Sequence, residues 1–280
     1  MEIIKKVSQL RSFLNDKNNV GCVPTMGNIH RGHLSLVSLA REKSNIVVTT
    51  IFVNRLQFNQ NEDYDGYPRT LDDDFKKLES AGNDVVFCPN ESEMYPEVQK
   101  YFIDPPRIAK KLEGRFRPGH FRGVCTVVTK LFNLVQPQIA VFGKKDYQQL
   151  AIIRGLVKQL SLPINIVSAE TVRADSGLAL SSRNRHLNKK ELEEAPRLRL
   201  AMKNISVAIE EGDRNFVAME YAAGELLARH GWKVDYVVVR TQAGLHKPTD
   251  ADNELVILGA ASLGNTRLID DLEVIGPDSE

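Results

Sequence analysis

Along the first half of the chain, short β-branched apolar runs alternate with segments of helical period. NVGCVPT reads as a strand and HLSLVSLAREKS as a helix; NIVVTTIFVN as a strand and TLDDDFKKLESAG as a helix; DVVFCP as a strand again. The alternation continues through CTVVTKLFNLVQ (helix), IAVFG (strand), YQQLAIIRGLVKQLS (helix) and INIVSAET (strand). Strands and helices in strict alternation predict βαβ units, and therefore a mostly parallel sheet covered on both faces. Such sheets bind ligands beyond the carboxyl ends of their strands, near the switch point. Candidate chemistry is therefore sought just after each strand.

After about residue 175 the texture changes. NKKELEEAPRLRLAMKNISVAIEEG and NFVAMEYAAGELLARHG carry helical periods, whereas WKVDYVVVRT, LVILGAASLG and TRLIDDLEV read as strands of a small sheet. This predicts a second, smaller α+β domain, with the chain divided into residues 1–173 and 174–280. No internal repeat or low-complexity tract interrupts either part.

Composition narrows the function. With 42% hydrophobic and 26% charged residues, the chain suits an ordinary globular protein and excludes disorder or a disulfide-stapled miniprotein. Lys+Arg 37 against Asp+Glu 36 lacks the basic excess of a protein devoted to nucleic acid. The N-terminal stretch is too charged for a signal peptide, and no apolar run is long enough to span a membrane. Cys22, Cys88 and Cys125 are isolated in apolar runs, which predicts reduced, buried thiols in a cytoplasmic protein.

The most informative segment lies between the first of these strands and its helix: Val23-Pro24-Thr25-Met26-Gly27-Asn28-Ile29-His30-Arg31-Gly32-His33. His30 and His33, three apart, share a face of a first helical turn. Gly32 lets a ligand approach the backbone, and a helix N-terminus favours phosphate. Two imidazoles there suit a phosphate that gains charge during reaction. A zinc site is disfavoured, because the spacing and Glu of HExxH are absent.

Other post-strand residues admit two readings each on local grounds. Gln57 can donate and accept hydrogen bonds to a hydroxyl- and carboxylate-bearing substrate, or be an ordinary loop amide. Gly143-Lys144-Lys145-Asp146 is a second polyanion site or a solvated charged turn. Ser181-Ser182-Arg183-Asn184 suits departing pyrophosphate or is a polar linker. Arg115, Arg117, His120 and Arg122, with Gly114 and Gly119, form a solvated loop or a lid over phosphates. Asp72, Asp73 and Asp74 begin a helix, where carboxylates favour the dipole.

The HxGH string resembles the signature of the nucleotidylyltransferase superfamily. The longer string PTMGNIHRGHLSLV closely resembles the pantothenate synthetase family, the pantoate–β-alanine ligases. IFVNRLQF, EDYDGYPRTLDDD, EGRFRPGHFRGVCTVVTKLFNLVQP, FGKKDYQQL, SSRNRHL and GNTRLID resemble that family's blocks, in its order. The resemblance spans nearly the whole chain.

It implies a Rossmann-like domain binding ATP and pantoate, covered by the smaller domain, in a cytoplasmic homodimer. It implies ATP contacts from Met26, Gly27, Asn28, Ile29, His30, Arg31, Gly32 and His33, from Gly143, Lys144, Lys145 and Asp146, and from Val172, Leu180, Ser181, Ser182 and Arg183. His30, His33 and Lys145 would serve catalysis. Gln57 and Gln149 would bind pantoate, with Gln57 also bordering β-alanine. Magnesium would accompany ATP, with Asp73 a candidate carboxylate near it. The implied reaction forms pantoyl adenylate and then transfers the acyl group to β-alanine.

The chain departs from the family pattern at Arg55, where Pro is usual, at GKKD for GEKD, at Ala174-Asp175-Ser176-Gly177, which lacks the usual Asp-Gly pair, and at His186, where Tyr is common. Two rivals differ in class. A nucleotidylyltransferase acting on a phosphate acceptor would want cations where Gln57 and Gln149 stand. A non-enzymatic nucleotide- or tRNA-binding relative fits poorly with the charge balance and the intact histidine pair.

Overall fold

The computed structural model of the protein describes residues 1–58 and 64–277. Glu62 and Asp63, the first two residues of the EDYDGYPRTLDDD block, lie outside the described residues. The chain divides into two compact units: Met1–Gly143 with Ile152–Glu170, and Lys144–Ala151 with Thr171–Glu280.

The first unit is a six-stranded sheet, wholly parallel, with helices between its strands. In chain order it contains β1 (Glu2–Ile4), α1 (Val7–Leu14), β2 (Val20–Thr25), α2 (Arg31–Lys43), β3 (Ile46–Ile51), α3 (Leu71–Ser80) and β4 (Val85–Phe87). There follow α4 (Glu91–Met94), α5 (Glu113–Phe116), α6 (His120–Val135) and β5 (Ile139–Gly143). Then α7 (Tyr147–Gln159), whose first residues belong to the second unit, leads to β6 (Asn165–Ala169). Some elements run beyond the pattern reading. The strand β1 is too short and charged to show a period, yet it adds to the sheet edge beside β4. The helices α4 and α5 have four residues each, too few for periodicity to register.

The strand order β1-β4-β3-β2-β5-β6 reverses direction between β2 and β5. These two strands pair only at Gly21 with Ile139 and Cys22 with Ala140. Beyond that point β2 pairs with β3 alone and β5 with β6 alone. The sheet therefore parts at its carboxyl edge, which is the ligand-binding position of this class of sheet. Beneath it, Val23, Ile29, Val37, Ala40, Val47, Leu78, Val86 and Val141 form a packed core. Gly21 permits the close seat of α2's C-terminal end, since a Cβ there would lie 2.4 Å from Ser44 Oγ.

The second unit contains α8 (Lys189–Glu194), α9 (Arg197–Glu210), α10 (Phe216–Arg229) and the antiparallel strands β7 (Lys233–Thr241), β8 (Glu254–Leu263) and β9 (Thr266–Ile275), in the order β7-β8-β9. The long helical run expected from residue 188 onward is two helices, because Pro196 cannot donate its backbone N–H and restarts the chain as the N-cap of α9. Gly264, at φ +56°, opens the two-residue turn from β8 to β9. Gly259 lets α9 settle on β8: a Cβ there would meet Leu198 and Met202 at 2.9 and 3.0 Å. All three cysteines are free and buried. No described helix is long and apolar enough to cross a membrane.

Candidate active site

The segment after β2 is held in an unusual backbone path by specific partners. Gly27 and Asn28 both adopt positive φ, +82° and +52°. Thr25 Oγ1 donates to the Thr50 carbonyl at 2.8 Å and accepts the Gly27 N–H at 3.1 Å. Fully buried Asp74, from α3, accepts the N–H of Asn28 at 2.9 Å through one oxygen and that of Ile29 at 2.7 Å through the other. Lys77 Nζ donates to the Ile29 carbonyl at 2.9 Å. The Ile29 side chain anchors the segment in the core. Five residues thus leave the sheet edge and enter α2 along one defined path.

At the head of α2 the two histidines cap each other. His30 is the N-cap; its Nδ1 accepts the Gly32 N–H at 3.1 Å, and His33 Nδ1 accepts the His30 N–H at 3.4 Å. The rings lie 4.1 Å apart between centroids. A nitrogen that accepts from a backbone N–H carries no proton, so in this arrangement each neutral ring bears its proton on Nε2. The cap thereby sets the tautomer: two Nε2–H donors at a helix N-terminus, the arrangement that suits a phosphate.

Gln57 ends a 3₁₀ turn, Arg55–Gln57, just after β3. Its Oε1 accepts from Asn54 Nδ2 at 3.1 Å, and its Nε2 lies 3.0 Å from Met26 Sδ, which joins the Gln57 and histidine segments. Asn54 Nδ2 also donates to the Gly123 carbonyl at 3.2 Å. The turn sits directly on α6, where a Cβ on Gly123 would come within 2.1 Å of the Leu56 carbonyl oxygen.

The arginine-rich segment is built into the first unit. His120, nearly fully buried, faces the Gln57 carbonyl through Nδ1 at 2.8 Å and Arg117 through Nε2 at 3.1 Å. The carbonyl only accepts and the guanidinium only donates, so Nδ1 carries the His120 proton. Arg122 stacks over Phe102 at 3.9 Å and pairs with Asp104 at 2.8 Å. Gly114 serves close approach, since a Cβ there would sit 1.7 Å from the Ala109 carbonyl oxygen.

Asp73 is paired with Lys77 at 2.6 Å, and both oxygens of Asp74 are engaged by backbone N–H groups. Among the described residues no three His, Cys, Asp or Glu side chains gather as a metal site. The carboxylates of this stretch therefore fit loop support better than a protein-built metal cage.

In the second unit, Lys145, Ser181 and Arg183 line a recess with Asn184, Arg199, Arg267 and Asp270. Ser181 Oγ caps the 3₁₀ turn Ser182–His186 by accepting the Arg183 N–H at 3.2 Å. Val172 accepts the Leu180 N–H through its carbonyl at 2.9 Å. The intervening loop is fastened to β9 by Arg173, which donates two bonds to Asp270 at 2.7 and 2.8 Å. Burial and the charge of Arg173 pull the Arg199 guanidinium below its ordinary value, an environment that an anion would relieve. Burial pushes Asp271 up to about 6. Lys144 Nζ meets Glu273 at 2.5 Å, and Tyr147 donates to the same carboxylate at 2.7 Å. The extra cation of GKKD is thus locally matched. Gln149 lies partly buried in the first turn of α7, in this same unit.

Several supporting residues escape sequence reading. Asp74 looked like one of three helix-start carboxylates; its lone burial is a tertiary fact. Tyr95 donates to Asn54 Oδ1 at 2.8 Å from a segment without pattern. The Arg173–Asp270 pair had one legible signal, two adjacent aspartates flanked by Ile269 and Leu272 within a strand.

Known proteins resemble this chain over nearly its whole length. A family profile described as pantoate-beta-alanine ligase matches residues 2–273. The pantothenate synthetase of Nitrosospira multiformis is 52% identical over 274 residues, 98% of each chain. The crystal structure of pantothenate synthetase from Thermus thermophilus superposes with a TM-score of 0.94 at 41% identity, covering 98% of this chain and 100% of that one. A pantoate-beta-alanine ligase from Francisella tularensis, complexed with beta-gamma ATP and beta-alanine, matches with a TM-score of 0.79 at 35% identity over 98% and 97%. Matched by that profile over residues 2–273 and by these relatives over 98% of its length, this chain belongs to the pantoate–β-alanine ligase family.

Proposed function

We propose that this chain joins pantoate to β-alanine at the expense of ATP, through a pantoyl adenylate. The observation that carries the reading is the mutual cap of His30 and His33, which presents two Nε2–H donors at the head of α2. A carboxylate is a poor electrophile, and AMP is a far better leaving group than oxide. A pantoate carboxylate oxygen attacks the α-phosphorus of ATP, and the bond to the bridging oxygen breaks to release pyrophosphate. The β-alanine amine then attacks the acyl carbon, loses a proton and expels AMP.

Charge collects on the α-phosphate during the first step. His33 and His30 donate to it from Nε2, a contribution of ~3–4 kcal/mol per well-placed donor. Met26 to Gly32 supply the backbone path that receives the nucleotide. Lys145, Ser181, Ser182 and Arg183 are assigned to the phosphates, supported by the cationic recess that Lys145, Ser181 and Arg183 line. Gly143, Lys144, Asp146, Val172 and Leu180 complete the assigned ATP contacts. Gln57 and Gln149 hold pantoate, and Gln57 borders β-alanine. Magnesium enters with ATP, bound by the phosphates and water, as that ion favours. The amine step needs placement and exclusion of water, with no protein nucleophile. The buried, free thiols suit a reducing cytoplasm. The homodimer implied by the family resemblance belongs to the same reading.

The deciding experiment is exchange of labelled pyrophosphate into ATP with pantoate and without β-alanine. Exchange that depends on pantoate is expected. Exchange that requires β-alanine removes the free adenylate, and none with pantoate removes the reading.

A further inference from the structure

The orientation of the Gln57 amide can be derived from its neighbours. The Gly123 carbonyl can only accept, so the Asn54 atom facing it at 3.2 Å is Nδ2. Asn54 Oδ1 then points the other way, to the Tyr95 hydroxyl at 2.8 Å, which must donate. The second hydrogen of Asn54 Nδ2 goes to Gln57 Oε1 at 3.1 Å. Gln57 Nε2 is thereby left against Met26 Sδ at 3.0 Å. A thioether is a weak acceptor, readily exchanged for a ligand oxygen.

Burial makes this orientation costly to reverse. Asn54 is fully buried and Gln57 nearly so. Flipping either amide would set like against like, N–H₂ against N–H₂ or oxygen against oxygen, with an unmade buried hydrogen bond as the result. Tyr95 is well placed as the donor at the end of the chain. Its ring packs against Phe52 at 5.9 Å between centroids, and Lys130 Nζ lies 4.7 Å from its centre. Burial, and then the charge of Glu91, push its phenol pKa up, which keeps the proton on oxygen.

We propose that Tyr95 is a positioning residue for pantoate: acting through Asn54, it holds the Gln57 amide with its N–H₂ edge presented to the substrate. The pocket at Gln57 then demands an acceptor, and the hydroxyl and carboxylate oxygens of pantoate both qualify. This inference rests on the reading that Gln57 holds pantoate, and the test separates the two.

Steady-state kinetics compare the wild type with Tyr95→Phe, Gln57→Ala and the double variant, alongside thermal melts. Tyr95→Phe should raise the pantoate KM about 3- to 10-fold and leave the ATP KM unchanged. In the Gln57→Ala background it should raise the pantoate KM no further, because the amide it orients is gone. An unchanged pantoate KM in Tyr95→Phe, with Gln57→Ala impaired, overturns the relay alone. A full further loss in the double variant overturns it too, as a general packing effect. An unchanged pantoate KM in Gln57→Ala overturns the pantoate assignment and the relay with it. If Tyr95→Phe melts far below the wild type, the same kinetics are run at a temperature at which it stays folded, and an unchanged pantoate KM there overturns the relay.

Discussion

Asp74 Oδ1 accepts the backbone N–H of Ile29 at 2.7 Å, one half of a clamp whose other half holds Asn28. This carboxylate stands between α3 and the segment that carries both histidines. Asp74→Ala would leave the buried Ile29 N–H and the half-buried Asn28 N–H unpaired, at about 1–3 kcal/mol each. Thermal or denaturant unfolding should show a loss of that order. Because a displacement of about 1 Å can cost about 10²-fold in rate, kcat should fall as well. A stable variant with wild-type turnover would remove the clamp from the catalytic argument.

His33→Ala should behave differently. Its cap to the His30 N–H is long, at 3.4 Å, so stability should change by about 1 kcal/mol or less. Pantoate-dependent pyrophosphate exchange should fall by about 10²–10³-fold, the scale for one transition-state donor. The contrast between the two variants, one unstable and slow, the other stable and slow, is the signature to look for.

Gly123→Ala tests the seat of the Gln57 turn. The new methyl would lie 2.1 Å from the Leu56 oxygen and 2.6 Å from the Gln57 nitrogen, both backbone atoms. The turn must move, at about 1–3 kcal/mol for overpacking. The pantoate KM should rise, and the ATP KM should change far less. Equal pantoate affinity would mean that the turn's position is immaterial to substrate binding.

Asp271 offers a pH test in the second unit. Burial raises its pKa from 3.8 to about 6. Between those values the folded protein keeps a proton that the unfolded chain releases, so this group's contribution to stability falls as pH rises through the window. Above pH 6 its penalty is complete, roughly 3 kcal/mol at 1.36 kcal/mol per unit. Asp271→Asn should therefore be more stable than the wild type at pH 7. The advantage should shrink toward zero near pH 4. Denaturant melts of both proteins across that range measure the difference, and a pH-independent gap would contradict the assignment.

Much of the first unit was legible because its signals are local. The strand around Val20–Thr25 and the helix from Arg31 show in the order of apolar and polar residues, and His30 and His33 follow them directly. Their spacing of three places both in the first turn of a helix whatever else the chain does. Gln57 and Lys145 were legible in the same manner, as polar residues immediately after strands.

The support for these residues was not legible, because it comes from distant parts of the chain. Nothing near Asp74 distinguishes it from Asp72 and Asp73; only the packing of α3 buries it against residues 28 and 29. Nothing near Tyr95 points to Asn54, 41 positions away. Nor does any local feature show that Gly123 must lack a side chain for the Gln57 turn to sit on α6. The sequence by itself determined the alternation of elements and the parallel sheet, and it brought out the candidate groups that follow the strands, since periodicity and motif spacing act over a few residues. The tertiary structure alone decided where the sheet parts, which carboxylate clamps the histidine segment and which edge Gln57 presents. Each of these depends on a hydrogen bond or close contact between residues far apart in the chain, and such bonds form only once the core has brought their partners together.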